Sequence, residues 1–284
     1  MQLNDSQNKA VRHDTGPALV LAGPGSGKTR VITERVRYLI SKCKVRPEHI
    51  LVVTFTKAAA IEMKERYISS YGNAGVWFGT FHSIFFLILR SAYGYSASDI
   101  IKEDEKRKVI SDAFGHFDSD NDSEKDIITD IINEISFVKS KRYDIDSYYS
   151  LKCSAEQFQY IYRQYDKYLK KKRKIDFDDM LVYTYELFAA RKDILAGWQN
   201  RFRYILVDEF QDINSIQYDI VKMLAEPENN LFAVGDDDQS IYGFRGSDPS
   251  FMQKYTTDYR DAKKIILDVN YRCSGNIMNS AARL

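Results

Sequence analysis

Unbroken apolar runs, rich in β-branched residues, recur along the chain at 18–21, 50–53, 76–78, 204–207, 231–234 and 265–267. Turn residues and then a stretch of helical periodicity follow each of them. A strand with one face in water alternates apolar and polar residues, whereas a strand covered on both faces is apolar throughout. Such strands separated by helices predict an α/β fold: a parallel sheet with helices on both faces.

Between 89 and 175 the pattern changes. Strand-like runs vanish, Tyr, Lys, Asp and Glu dominate, and helical spacing appears at 103–114, 124–139 and 154–171. Ile127, Ile128, Ile131, Ile132 and Ile135 form one buried stripe. The pattern predicts a helical insertion, 89–175, inside an α/β domain built from 1–88 and 176–284. Residues 115–123, rich in Asp, Ser and Asn, read as an exposed loop. The basic run 169–174 fits either a nucleic-acid contact or a solvated helix end whose cations suit the C-terminal dipole. Asp178 and Asp179 fit either a catalytic pair or carboxylates at a helix N-terminus, and the second is the expectation.

Composition narrows the classes. Among 284 residues, 41 are basic and 40 acidic, a net charge of +1, so any nucleic-acid binding must come from a local groove. Cys43, Cys153 and Cys273 form no CxxC pair, and His13, His49 and His116 share no ligand-like spacing. With no signal-like start and no long apolar segment, a reduced, cytoplasmic setting without a membrane is expected.

The strongest local signal is Ala22-Gly23-Pro24-Gly25-Ser26-Gly27-Lys28-Thr29, between the first strand and a helix. Glycines let backbone N–H groups converge on phosphate oxygens, Lys28 reaches the β- and γ-phosphates, and the Thr29 hydroxyl binds Mg²⁺. Ala22 stands where the general phosphate-loop pattern has Gly. A second carboxylate-bearing strand end follows at Asp208-Glu209, with Asp208 toward Mg²⁺ and Glu209 toward the attacking water. The expected ligands are ATP and Mg²⁺.

From end to end, the ordered motifs resemble the N-terminal half of a superfamily 1 DNA helicase of the UvrD/Rep/PcrA family. Residues 3–7 are similar to its adenine-reading motif, and 22–29 have its own phosphate-loop form, Ala22 included. Residues 54–59, 79–83, 176–179, 207–212, 235–242 and 270–272 follow in family order. The resemblance implies that Gln7 reads adenine, Arg30 and Tyr271 pack on the base, Gln239 senses the γ-phosphate and Arg272 is an arginine finger. Together with Lys28 and Glu209, Gln239 and Arg272 make the implied catalytic set. The implied DNA contacts are Phe55, Thr56, Lys57, Thr80, His82, Tyr242, Phe244 and Arg245. Phe244 stands where most relatives carry Trp, and Lys57 where many carry Asn.

By that resemblance the expected activity is that of a DNA-dependent ATP hydrolase. It would move 3′ to 5′ on single-stranded DNA and unwind duplexes at single-strand/double-strand junctions, with repair or replication accessories as partners. The segment 235–246 would couple hydrolysis to DNA. A second RecA-like domain is expected beyond Leu284, leaving this chain weakly active by itself. Alternative readings are a RecB/AddA-like helicase-nuclease subunit, a P-loop nucleotide switch without motor activity and a catalytically dead interaction module.

Overall fold

The computed structural model describes residues 2–73, 75–117, 124–236 and 250–273. Its strands are β1 (Ala18–Ala22), β2 (Ile50–Thr54), β3 (Trp77–Thr80), β4 (Tyr204–Val207), β5 (Leu231–Gly235) and β6 (Lys263–Leu267). They form one six-stranded sheet in the order β3-β2-β4-β5-β1-β6, parallel at every pairing. The α/β expectation therefore holds. β1, β2, β4 and β5 lie inside the sheet and are almost wholly buried, as their unbroken apolar character requires. β6 starts earlier than its apolar run because Lys263 and Lys264 are exposed on an edge strand. Charged residues on an edge discourage pairing with another chain.

Helices α1 (Asp5–Val11), α2 (Lys28–Ser41), α3 (Lys57–Tyr71) and α4 (Phe81–Tyr93) precede α5 (Glu103–Phe114), α6 (Glu124–Lys141), α7 (Ala155–Lys172) and α8 (Phe177–Ala190). After them come α9 (Lys192–Arg201), α10 (Ser215–Ala225) and α11 (Ser250–Asp258). Among the described residues no helix is long and apolar enough to cross a membrane.

The chain divides into two compact units, residues 1–84 with 190–284, and residues 85–189. The first holds the sheet, and its core joins β-strand residues such as Val20, Val52 and Val234 to Val31, Ile32, Val36 and Leu39 of α2. Arg35, on the same helix, is buried. Its Nη1 donates to Val11 O and His13 O, and its guanidinium lies over the Phe232 ring at 4.4 Å. A cation on a helix face thus ties the chain leaving α1 to the sheet.

In the second unit α5, α6 and α7 enclose Ile110, Ile131, Ile135, Phe158 and Ile161. Ser154 and Gln157 make a capping box at the start of α7. The sequence pattern puts the return to the α/β domain at 176, whereas α8 stays with 85–189. Its start is pinned there by charge. Lys139 Nζ of α6 lies 2.8 Å from Asp176 Oδ2 and 2.7 Å from Asp179 Oδ1, all three buried. The Asp179 amide donates to Asp176 Oδ1 at 2.7 Å. The Tyr165 hydroxyl donates to Asp176, Ser136 donates to Asp178, and Lys106 lies 3.8 Å from Asp176. A buried ammonium persists only when paired and hydrogen-bonded in this way.

Candidate functional site

The loop after β1 turns through Gly25 (φ 70°) and Gly27 (φ 87°) before α2 starts at Lys28. A left-handed residue is cheap for glycine and strained for the rest. Ser26 between them is buried, and its hydroxyl has no hydrogen-bond partner among the described residues. Ala22 closes β1 as a buried strand residue, so that position asks for no glycine.

Gln7 of α1 is buried against this loop. Its Nε2 donates to Ser26 O at 2.9 Å, and its Oε1 accepts from Asn4 N at 3.1 Å. Asn4 Oδ1 accepts in turn from Gln7 N, completing a capping box. Asn4 Nδ2 donates to the Tyr271 hydroxyl at 2.8 Å. On the loop's other flank Asn270 Nδ2 donates to Pro24 O at 2.6 Å, and Tyr271 N to Gly25 O at 2.9 Å. A Cβ on Gly25 would stand 2.6 Å from Arg272 Cβ. Tyr271 remains half exposed.

At the end of β4 the Asp208 amide donates to Val53 O, and Glu209 adopts a left-handed conformation (φ 50°). This turn carries the Glu209 carboxylate to Lys28, with Nζ to Oε2 at 3.1 Å. Gln211 Nε2 donates to the same oxygen at 2.9 Å, while its Oε1 accepts from the Asp236 amide at 3.0 Å. A Cβ on Gly235 would meet Gln211 Oε1 at 2.7 Å, so glycine there leaves room for the glutamine. Burial, then the charge of Glu209, pushes Asp208 up to about 7 and Asp212 up to about 6. Asp212 Oδ1 is buried without a hydrogen-bond partner among the described residues. Such a cluster of carboxylates is short of positive charge, which a cation would supply.

Residues 22–29, Gln7, Asp208, Glu209, Tyr271 and Arg272 therefore belong to one unit, with the contacts just given. Arg30 and Thr29 are half-buried in the first turn of α2. Phe55, Thr56 and Lys57 follow β2, and Thr80 and His82 follow or end β3, beyond β4 and β5 from the loop of β1 in the strand order. Thr56 Oγ1 caps α3 by accepting from Ala59 N, and Thr80 Oγ1 accepts from Ser83 N. Both hydroxyls thus serve helix starts. Thr56 and Lys57 are exposed, Phe55 and His82 half-buried. Gln239, Tyr242, Phe244 and Arg245 lie outside the described residues.

Asn4, Gln211 and Asn270 lie within the motifs at 3–7, 207–212 and 270–272, which assign them no role of their own. Asn4 and Gln7 at capping-box spacing are a readable helix-start signal. The bonds of Gln211 and Asn270 join segments far apart in the chain and carry no local signature.

Residues 3–260 match the family model described as the UvrD/REP helicase N-terminal domain. A Bacillus subtilis (strain 168) protein, YjcD, whose name carries a provisional assignment as an ATP-dependent DNA helicase, is 43% identical over 98% of this chain. The ATP-dependent DNA helicase PcrA of Staphylococcus epidermidis (strain RP62A) is 38% identical, and that of Staphylococcus aureus (strain Mu50) 37% identical, each over 98% of the chain. The chain spans 38% of the length of YjcD and 39% of each PcrA.

Proposed function

Since the chain belongs to the UvrD/REP helicase family, we propose that it is the ATP-binding and DNA-contacting part of an ATP-dependent DNA helicase that moves 3′ to 5′ on single strands. The observation that carries this reading is the 3.1 Å contact between Lys28 of the phosphate loop and Glu209 at the end of β4. It joins the two halves of a phosphoryl-transfer site across the carboxyl ends of a parallel sheet, where such sheets bind ligands.

The residues suit ATP with a divalent cation. The buried Ser26 hydroxyl, without a partner among the described residues, and the left-handed glycines leave loop groups for phosphate oxygens. Asp208 and Thr29 would hold Mg²⁺, which would supply positive charge against the phosphates. Lys28 binds the β- and γ-phosphates, competing with Glu209 for its ammonium. Glu209, freed from it, orients the attacking water and takes its proton. Gln7 and Tyr271 border the base, and Arg272 offers a planar cation to the transferring phosphoryl group.

Phe55 stacks on bases, while Thr56, Lys57, Thr80 and His82 lie near the backbone, a mode indifferent to sequence. The reading extends to strand/duplex junctions as substrate and to Gln239, Tyr242, Phe244 and Arg245 as the link between fuel and strand. Fluorescence anisotropy with labelled single strands, comparing wild type with Phe55→Ala, together with ATP turnover with and without strand, tests it. Strand binding weakened in the variant is the expected result. Undiminished binding removes Phe55 from the track.

A further inference from the structure

A second aromatic and basic site lies wholly within residues 85–189. A cavity of about 360 Å³ is lined by Tyr93, Tyr95, Arg173, Tyr183 and Glu186. Its rim is shaped by two left-handed turns. Gly94 (φ 71°) ends α4 and sets Tyr93 and Tyr95 on either side of it, their rings edge to face at 6.2 Å. Arg173 (φ 53°) ends α7, and its Nη2 donates to Tyr93 O at 3.1 Å, which fixes the guanidinium at the rim. The third tyrosine, Tyr183, and Glu186 sit one turn apart on α8.

Three tyrosines, a guanidinium hydrogen-bonded at the rim and a carboxylate acceptor line this small cavity. The volume falls at the low end of the range for small-molecule sites, ~300–1,000 Å³, suiting a single planar group rather than a side-chain cluster. Tyrosine faces and an arginine plane stack on nucleobases, and a carboxylate accepts from a base amino group. The cations just before the rim point the same way. Of the basic run at 169–174, Lys170 is paired with Asp166 and Lys174 with Glu105. Lys171 and Lys172 are exposed beside Arg173 in the chain, where phosphates can reach them. An acidic peptide would use these cations and leave the tyrosine faces without a role.

We infer that this cavity takes an unpaired base of a single-stranded nucleic acid, held by Tyr93, Tyr95 and Tyr183, with Lys171, Lys172 and Arg173 on the flanking phosphates. The inference rests on the DNA-binding reading above and adds a base site to it. Burial, then the neighbouring Asp179, raises the phenols of Tyr95 and Tyr183, which keeps them neutral donors.

The test uses the full chain, a labelled oligothymidylate and an abasic strand of equal length. Tyr93→Ala and Tyr183→Ala should each weaken oligothymidylate binding by ~5- to 150-fold, the usual cost of losing one stacked base, and leave abasic-strand binding unchanged. Arg173→Ala should reduce the salt dependence by ~0.7 in slope for a lost phosphate contact. A strand carrying 5-iodouracil should photo-cross-link to a peptide containing Tyr93, Tyr95 or Tyr183. Unchanged affinity in both tyrosine variants, cross-links confined to residues 1–84 and 190–284, or displacement by polyglutamate as effective as by oligothymidylate would each overturn the inference. Binding lost in Phe55→Ala but intact in the tyrosine variants rejects this site alone. A wild-type chain that binds no strand rejects the DNA-binding reading with it.

Discussion

Gln211 Nε2 donates to Glu209 Oε2 at 2.9 Å, on the oxygen that also faces Lys28. Through its Oε1 the same buried amide holds the Asp236 backbone, where the chain leaves β5. Position 211 therefore joins the carboxylate beside the phosphate loop to the segment that leads into Gln239. Gln211→Ala should leave the Asp236 amide without this acceptor and cost about 1–3 kcal/mol. Amide hydrogen exchange at Asp236 should accelerate, and ATP turnover should fall with Mg·ATP affinity little changed. Unaltered exchange at Asp236 would show that the amide bond does not hold this segment.

Gly25 sets a second expectation. Alanine there would bring a Cβ to 2.7 Å from Asn270 Oδ1 and 2.6 Å from Arg272 Cβ, at a φ of 70°. The backbone conformation alone costs about 1–2 kcal/mol, and the 270–272 turn must move off the loop. Nucleotide affinity should fall by ~10-fold or more, equivalent to about 1.4 kcal/mol, in a titration with a fluorescent ATP analogue. Wild-type affinity would mean that the turn contributes nothing to the nucleotide site.

The buried charges of the 85–189 unit make stability depend on pH. Burial opposes ionisation of Asp176, but Lys139 and Lys106 overcome it and hold the carboxyl down at about 2. Its contribution is present above the ordinary carboxylate range and is lost as pH falls toward 2. Asp179 behaves oppositely, because burial, then Asp176, pushes it up to about 7. The folded state binds that proton more tightly, so this contribution is full below the unfolded carboxyl's pKa and is lost as pH rises through 7. Calorimetry should find the wild type less stable at about pH 8 than at about pH 5.5, and Asp179→Asn should reduce that difference, leaving the share of Asp208 and Asp212, which titrate in the same range. An identical pH profile in the variant would contradict the assignment.

Lys139→Met keeps much of the side-chain length while removing the ammonium that holds the buried Asp176 ionised. Breaking a buried pair in this way costs about 3–5 kcal/mol, read as a lowered denaturation midpoint. Adding Asp176→Asn should recover part of that loss. A single variant as stable as wild type would make the contacts energetically idle.

How much of this was legible in the sequence depended on whether the signal was local. The buried strands announced themselves through unbroken apolar runs, and residues 22–29 through glycine spacing before a helix. The isoleucine stripe of α6 was equally plain, with Ile128, Ile131, Ile132 and Ile135 all buried. Lys139 and Arg35 were invisible, because a cation on a helix face ordinarily marks the solvated side. Only contacts from elsewhere in the chain, Asp176 and Asp179 for Lys139 and Val11 O and His13 O for Arg35, make their burial tolerable. The same holds for Gln211, whose amide matters through Asp236.

In the proposed ATP site Lys28 binds phosphate and Glu209 activates water. Calorimetric titration of the purified chain with Mg·ATP, with phosphate release followed alongside, separates the two roles. Saturable binding by wild type, retained in Glu209→Gln with turnover abolished and lost in Lys28→Ala, is the predicted result; equal affinity of Lys28→Ala and wild type would contradict it.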